Sequence, residues 1–510
     1  MRKGYTTDFF KQFEELNCKL DSLLEEKKNL KSEHKKEIQQ MTKEFKTEIS
    51  SLNTTIKELN KTNSELHEEN RKLLNEIDRL KNQNNKNSTN SSKPSSTNIT
   101  TPKKKTGANL YNYRVKTNNK IGGQVGHTGH SLNKDKIDEL VKNKKIKVIE
   151  IKHKIKGNSK LDNIVKYKLG IDIKPYVEKH IFTYDEDSKE ELPKEFYTDV
   201  TYTNDIKTLS LELSAHNLIS YDRLSNFFSV ITNNVINISN GTLVNFLYEF
   251  SSKSELTINN LENNILNSKI NYTDETTAKF NKKNLYVRNY SNEETVIYKV
   301  HKNKGHKPIL EDNILPRFLG GIMGDHDTTL NSYGTERYEC NIHSGRYLEE
   351  LIQNIKEISW AFRMKELIFR MYNTRKIAIQ YGLKKFDKQK IKEYEKEYDE
   401  ILELAKLENK GIKSSYYRDK ADKLYRRLKK YKKNHLYFIK DFNVPFDNNL
   451  SETDLRIFKN KTKISGGFRT MKGAISYVNA LTIIKTSIKR NINPYESIKA
   501  IFNNEILFQN

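Results

Sequence analysis

Lys269-Ile270-Asn271-Tyr272-Thr273-Asp274-Glu275-Thr276-Thr277 reads as a short strand that runs out into carboxylates. Side chains alternate along a strand, so Asp274 and Glu275 leave opposite faces and only one of them can join a given site. Downstream, Asn284-Leu285-Tyr286-Val287-Arg288 and Thr295-Val296-Ile297-Tyr298-Lys299-Val300 are β-rich and read as two more strands. Phe318-Leu319-Gly320-Gly321-Ile322-Met323-Gly324-Asp325-His326-Asp327 is a fourth, again ending in acid, and Arg337-Tyr338-Glu339-Cys340-Asn341-Ile342-His343 is a fifth. Far along the chain, Val444-Pro445-Phe446-Asp447-Asn448-Asn449-Leu450-Ser451-Glu452-Thr453-Asp454-Leu455-Arg456 opens a helix. Pro445 closes an extended entry, Asp447 or Asn449 caps, and Glu452 falls in the first turn. A lone glutamate there ordinarily only compensates the helix dipole.

A strand ending in Asp, two strands, a connection, a strand ending in Asp and a late helix carrying Glu follow the order of an RNase H-like core. That order gathers three carboxylates at one sheet edge, where they repel unless divalent metal neutralises them. A magnesium pair held this way suits in-line attack on a phosphodiester. Four motifs in sequence, Asn90-Ser91-Ser92-Lys93-Pro94-Ser95-Ser96, Gly122-Gly123-Gln124-Val125-Gly126-His127-Thr128-Gly129-His130, Tyr272-Thr273-Asp274-Glu275-Thr276 and Asn448-Asn449-Leu450-Ser451-Glu452, resemble the signatures of insertion-sequence-66 family transposases.

The resemblance covers most of the chain. It implies an α/β RNase H-like catalytic core with a large α-helical insertion, preceded by an N-terminal coiled coil. It also implies an acidic triad of Asp274, Asp325 and Glu452 that binds two Mg2+ ions, with Mn2+ as an alternative. The implied reaction is cleavage and strand transfer at terminal inverted repeats, on double-stranded DNA of transposon ends and target. Asp325 and Asp327 share a face if the strand persists, so either can be the second ligand; the motif matches Asp325, with Asp327 or His326 in support. Cys340, His343 and Arg346 reproduce a Cys-x-x-His-x-x-Arg pattern seen in relatives. One Cys-His pair cannot make a tetrahedral site alone. The pattern is either an active-site wall, with Arg346 meeting a phosphate, or a strand end packing a small thiol.

A chain of 510 residues has room for about three or four domains. Lys+Arg of 91 against Asp+Glu of 66 leaves +25, which favours a polyanionic partner without saying which sequence it reads. Part of the lysine excess is AT-rich bacterial codon bias. The candidate phosphate contacts are Lys103, Lys104 and Lys105, then Lys304 and Arg346, then Lys459, Lys461, Lys463 and Arg469 around the turn Ile464-Ser465-Gly466-Gly467-Phe468. No apolar run approaches the roughly 20 residues of a membrane helix, so a cytosolic protein is expected, and the resemblance implies a bacterial one associated with the nucleoid. Cys18 and Cys340 suggest no disulfide framework.

Residues 1–86 read as a coiled coil: Phe45, Leu52, Leu59, Leu66, Leu73 and Leu80 occupy d positions, with Ile49, Ile56, Asn63, Asn70 and Ile77 at a. An earlier seam keeps another register, with a skip between Leu30 and Ile38. The seam implies a homo-oligomer, or else an intramolecular hairpin. Residues 87–132 are a flexible basic linker carrying the Gly122–His127 motif, a tight turn or a phosphate cradle.

Residues 133–200 form a small β-rich module. Relatives resemble a zinc-binding module here, but this chain has no cysteine between Cys18 and Cys340. No structural zinc is expected, since His153 and His180 make a poor site without thiolates. Residues 201–268 are helical and helix-turn-helix-like, either a DNA reader or a buttress for the sheet. Residues 269–347 are the first part of the core and 348–440 a helical insertion. In the insertion, two apolar stripes pair as a hairpin around Asn409-Lys410-Gly411, and Trp360 is either core or a base-stacking platform. Residues 441–510 carry Glu452 and the closing helices. Accessory proteins of the same element are possible partners. A catalytically silent DNA-binding remnant and a purely structural coiled-coil protein are the rival readings.

Overall fold

The computed structural model describes residues 5–87, 90–91, 134–151, 168–169, 171, 173–182, 191–193, 196–198, 200–281, 283–356 and 358–509. Lys103, Lys104, Lys105, residues 92–96 of the first motif, the Gly122–His130 motif and His153 lie outside the described residues. The chain divides into two compact units, residues 1–86 with 411–420, and residues 87–410 with 421–510.

The first unit is built on one helix, α1 (Tyr5–Asn85), which runs unbroken through the register change near residues 30–38. Glu68–Arg71 and Glu76–Arg79 ion pairs lie along it at i,i+3. The seam residues Leu52, Leu59, Leu66 and Leu73 are all more than half exposed. The Ser414 and Ser415 hydroxyls donate to Asp78 and Asn75 of this helix.

In the second unit, α2 (Lys134–Lys142) precedes a stretch with no strand among its described residues. Ile149 and Ile151, in the stretch read as a β-rich module, are in no strand, and both side chains are exposed; without an apolar layer to face, β-prone residues do not make a ladder. Then come α3 (Asn204–Leu211), α4 (Tyr221–Ile231), α5 (Asn240–Lys253) and α6 (Glu255–Leu266). Leu243, Phe246, Leu247 and Phe250 of α5 are buried, and Phe250 meets Phe502 edge to face at 5.4 Å. α5 therefore packs its apolar face into the core.

Five strands follow: β1 (Ile270–Phe280), β2 (Lys283–Ser291), β3 (Val296–His301), β4 (Gly321–Gly324) and β5 (Glu336–Glu339), with α7 (His306–Asp312) between β3 and β4. Their order across the sheet is β3-β2-β1-β4-β5. β1, β2 and β3 pair antiparallel, while β1–β4 and β4–β5 pair parallel. The β1–β2 turn uses Asn281 at φ 46°, a left-handed conformation that asparagine tolerates. The fifth strand is shorter than its sequence suggests: Asn341, Ile342 and His343 already belong to α8 (Asn341–Asn354).

The insertion is α9 (Ser359–Gln380), α10 (Lys388–Gly411), α11 (Ser415–Lys430) and α12 (Lys432–Lys440); α13 (Asn449–Ser465), α14 (Met471–Lys489) and α15 (Pro494–Phe502) close the chain. α10 does not turn at Asn409 as expected. That side chain is buried and hydrogen-bonded, accepting from Trp360 Nε1 at 2.9 Å and donating to Asp422 at 2.9 Å. Trp360 is fully buried, which removes it as a stacking platform. Sheet and closing helices share one core containing Val287, Ile297, Ile322, Phe458, Val478 and Leu481. The outer edge of β3 is covered by α14, whose Thr482 and Thr486 hydroxyls accept the N–H groups of Tyr298 and Val296, each at 3.2 Å. No helix among the described residues is long and apolar enough to cross a membrane.

Candidate active site

Thr273 of β1 and Gly324 of β4 are partners in the parallel ladder. The next residue after each is an aspartate, so Asp274 and Asp325 emerge at the same edge of the sheet, close enough for the charge of one to act on the other. The Asp274 N–H donates to Asn289 Oδ1 at 3.0 Å, and its Oδ1 accepts the Glu275 N–H at 2.7 Å. Alternation sends Glu275 to the other face, where it pairs with Arg288 at 3.1 Å and Lys304 at 3.0 Å.

The third carboxylate arrives on α13, whose N-cap is Asn448 rather than Asp447 or Asn449. Asn448 caps without using its side chain on its own helix. Its Nδ2 donates to the Thr273 carbonyl at 3.0 Å, one residue before Asp274, and its backbone N–H donates to Cys340 Sγ at 3.3 Å. One turn on, Ser451 Oγ donates at 2.7 Å to Asn289 Oδ1, the oxygen that also takes the Asp274 N–H. Asn289, Asn448 and Ser451 are all fully buried. Asn448 and Ser451 thus fasten the helix to β1 and β2, and Glu452 is presented beside them. Further along α13, Asp454 is buried against Lys489 at 2.8 Å and Ser291 at 2.9 Å.

His343, in the first turn of α8, sits between two of the carboxylates: its Nδ1 lies 2.7 Å from Asp325 Oδ1 and 3.6 Å from Glu452 Oε1. Arg346 Nη2 lies 4.0 Å from Glu452 Oε2, and its Nη1 is 3.1 Å from His343 Nε2. A guanidinium only donates, so that last contact forms with the ring nitrogen bare. Asp325, Cys340, His343 and Glu452 each bring one donor atom within 4.8 Å of the others. Asp274 stands outside that set of four but shares its field. Burial first, then the charge of Asp325 and, more weakly, that of Glu452 push its carboxyl up to about 7, against the opposing pull of the Glu275 N–H and His343. Three carboxylates in one field cannot all ionise at low cost without a cation. Asp325 Oδ1 is buried with no well-aligned hydrogen bond, only the His343 nitrogen beside it. Hard carboxylate oxygens gathered in this way fit a divalent ion.

Asp327 is occupied elsewhere. It accepts the Thr329 N–H at 3.0 Å, capping the turn Thr328–Ser332, and pairs with Arg288 at 3.3 Å. Burial works to raise its pKa, but Thr329 and Arg288 outweigh it and hold the carboxyl below the usual range. His326 pairs with Glu339 at 3.3 Å. Arg337 donates to the Asp325 carbonyl and steadies the loop.

Among the basic candidates, Lys304 is tied to Glu275 and stands 5.0 Å over Tyr286, and Lys461 is half-buried 4.8 Å over Tyr477. Lys459, Lys463 and Arg469 are exposed. Their turn is stitched to the far end of β1, where the Phe468 N–H donates to the Lys279 carbonyl at 2.7 Å. Gly467 is required there: a Cβ would stand 2.4 Å from that same oxygen.

Asn289 carries no motif signal in the sequence, and Arg337, Asn448 and Ser451, though inside the strand and helix stretches, have partners that local sequence does not reveal.

No curated protein matches the chain. The pattern of the transposase IS66 family, a DDE family, matches residues 200–476, more than half of the 510 residues. The chain belongs to the transposase IS66 family.

Proposed function

We propose that this transposase is the DNA-cutting and DNA-joining enzyme of an insertion sequence, acting at terminal inverted repeats through an RNase H-like core. The observation that carries the reading is the convergence of carboxylates from β1, the end of β4 and the first turn of α13, with Asp325 and Glu452 meeting at His343. The sheet order, with an antiparallel β1–β2–β3 and parallel β4 and β5, supports the core assignment.

Asp274, Asp325 and Glu452 would hold two Mg2+ ions, or Mn2+. Such ions, when bound, activate water and then a 3′ hydroxyl and neutralise charge at phosphorus. Asn448 and Ser451 keep Glu452 in register with Asp274, and alignment of this kind removes the need for a covalent nucleophile. Arg346 swings from His343 to donate to a phosphate oxygen. Lys459, Lys463 and Arg469 hold the strand by its backbone, which positions it without reading sequence. The exposed leucine seam of α1 pairs with a second copy as a coiled coil. The protein acts on the nucleoid of a bacterial cytoplasm, with or without accessory proteins of the element.

Asp274→Ala should abolish magnesium-dependent nicking of terminal-repeat DNA while leaving salt-sensitive DNA binding intact. A variant that still cuts shows the triad to be misassigned. A wild-type protein that binds but never cuts is the silent remnant.

A further inference from the structure

We propose that Asp325, Cys340, His343 and Glu452 form a zinc(II) site that closes the catalytic centre, making zinc an inhibitor of this protein. The inhibition rests on the magnesium-nuclease reading above; the binding does not.

The topology builds the site. Gly324 and Glu339 are ladder partners, and the Cys340 N–H donates to the Gly324 carbonyl at 3.1 Å, which brings Cys340 alongside Asp325. Cys340 is the N-cap of α8, so His343, three residues on, lies on the same side of the first turn. Cys340 and His343 are 1% and 5% exposed. The sulfur is aimed rather than merely packed, because the backbone N–H of Asn448 points at it from 3.3 Å. On the sequence alone one Cys-His pair is two donors short of a zinc site, and the fold adds the missing two as carboxylate oxygens.

The donor chemistry separates this ion from the catalytic one. Magnesium takes six oxygens and has little use for a thiolate or an imidazole. A sulfur, a nitrogen and two oxygens match four-coordinate zinc, with bonds of about 2.0–2.3 Å and therefore donor–donor edges of about 3.3–3.8 Å. The four atoms already lie within 4.8 Å of one another; His343 Nδ1 to Glu452 Oε1 is 3.6 Å, and His343 Nδ1 to Asp325 Oδ1 opens from 2.7 Å as the ion takes the place of the proton between them. Binding displaces the thiol proton to solvent as the Zn–S bond forms. It also requires the His343 proton on Nε2, so Arg346 must leave that nitrogen for Glu452 Oε2, now 4.0 Å away. An ion held there takes Asp325 and Glu452 out of the triad, and zinc outranks magnesium and manganese for such a set.

The test uses the full-length, metal-stripped chain with Co2+ as a spectroscopic probe and Zn2+ as competitor. Wild type should give the near-ultraviolet sulfur-to-cobalt band and the intense visible bands of a four-coordinate ion, both erased by one equivalent of Zn2+. Cys340→Ser should lose the sulfur band and bind Zn2+ at least tenfold more weakly. Cys18→Ser, on the exposed helix, should change neither. Circular dichroism confirms that each variant is folded, and Cys340→Ala repeats the measurement should serine disturb it. Identical cobalt spectra and zinc affinities for wild type and the Cys340 variants would overturn the site. A positive cobalt spectrum from a chain that never nicks DNA in magnesium would leave the site standing and remove only the nuclease reading.

Discussion

Asn448→Ala isolates the tether that places Glu452. Asn448 is fully buried and its amide spans from the start of α13 to the Thr273 carbonyl at 3.0 Å. Deleting it removes one neutral hydrogen bond and leaves a buried carbonyl lone pair unmet, about 2 kcal/mol in all. The backbone bond from residue 448 to Cys340 and the Ser451 bond to Asn289 survive, so the helix stays docked but loosens at its first turn. A displacement of about 1 Å in a group that aligns the reaction costs roughly 100-fold in rate. Urea unfolding should therefore show a modest loss of stability. Magnesium-dependent nicking of a terminal-repeat oligonucleotide, assayed well below the unfolding midpoint, should fall far more than that loss accounts for. Asn448→Asp should be worse, since it replaces the donor with a charge that faces Asp274 and Glu452. A variant that loses the stability yet nicks at the wild-type rate would refute the claim that this amide positions the glutamate.

Asp454→Ala removes the carboxylate from half-buried Lys489, 2.8 Å away, and leaves the ammonium only the Asn292 carbonyl at 2.9 Å; it should cost about 3 kcal/mol in urea unfolding. Burial above all, against the opposing pull of Glu339 and helped by Arg427 and Arg337, depresses the His435 imidazole to about 4, so the native ring is neutral. Stability should fall as pH drops below the ordinary value near 6.5 and level off near 4, a loss of roughly 3 kcal/mol. His435→Gln should flatten that limb of the pH–stability curve. Leu59→Lys with Leu66→Lys places two charges in the exposed seam and should halve the mass seen by sedimentation, with an unchanged mass locating self-association elsewhere.

What could be read without coordinates, and what could not, follows from the range of the interactions involved. The succession of strands and the placing of three acids at element ends were legible because each lies in a local pattern: alternation up to Asp274, an apolar run ending at Asp325, a first helical turn at Glu452. The choice between Asp325 and Asp327 was not, because a strand's phase does not say where the strand stops. β4 ends at Gly324, and the chain then bends, sending Asp325 to His343 and Asp327 to Arg288. Trp360 was ambiguous for a similar reason: its partner, Asn409, is 49 positions away and resembles a turn residue in its own neighbourhood. Cys340 and His343 show the limit most clearly. Three residues apart, they form an incomplete ligand pair in sequence, and only the β4–β5 rung and the docking of α13 supply the two oxygens that change what the pair can bind. Motif spacing therefore reports the donors an element carries, whereas the identity of the ion depends on which elements the sheet sets next to each other.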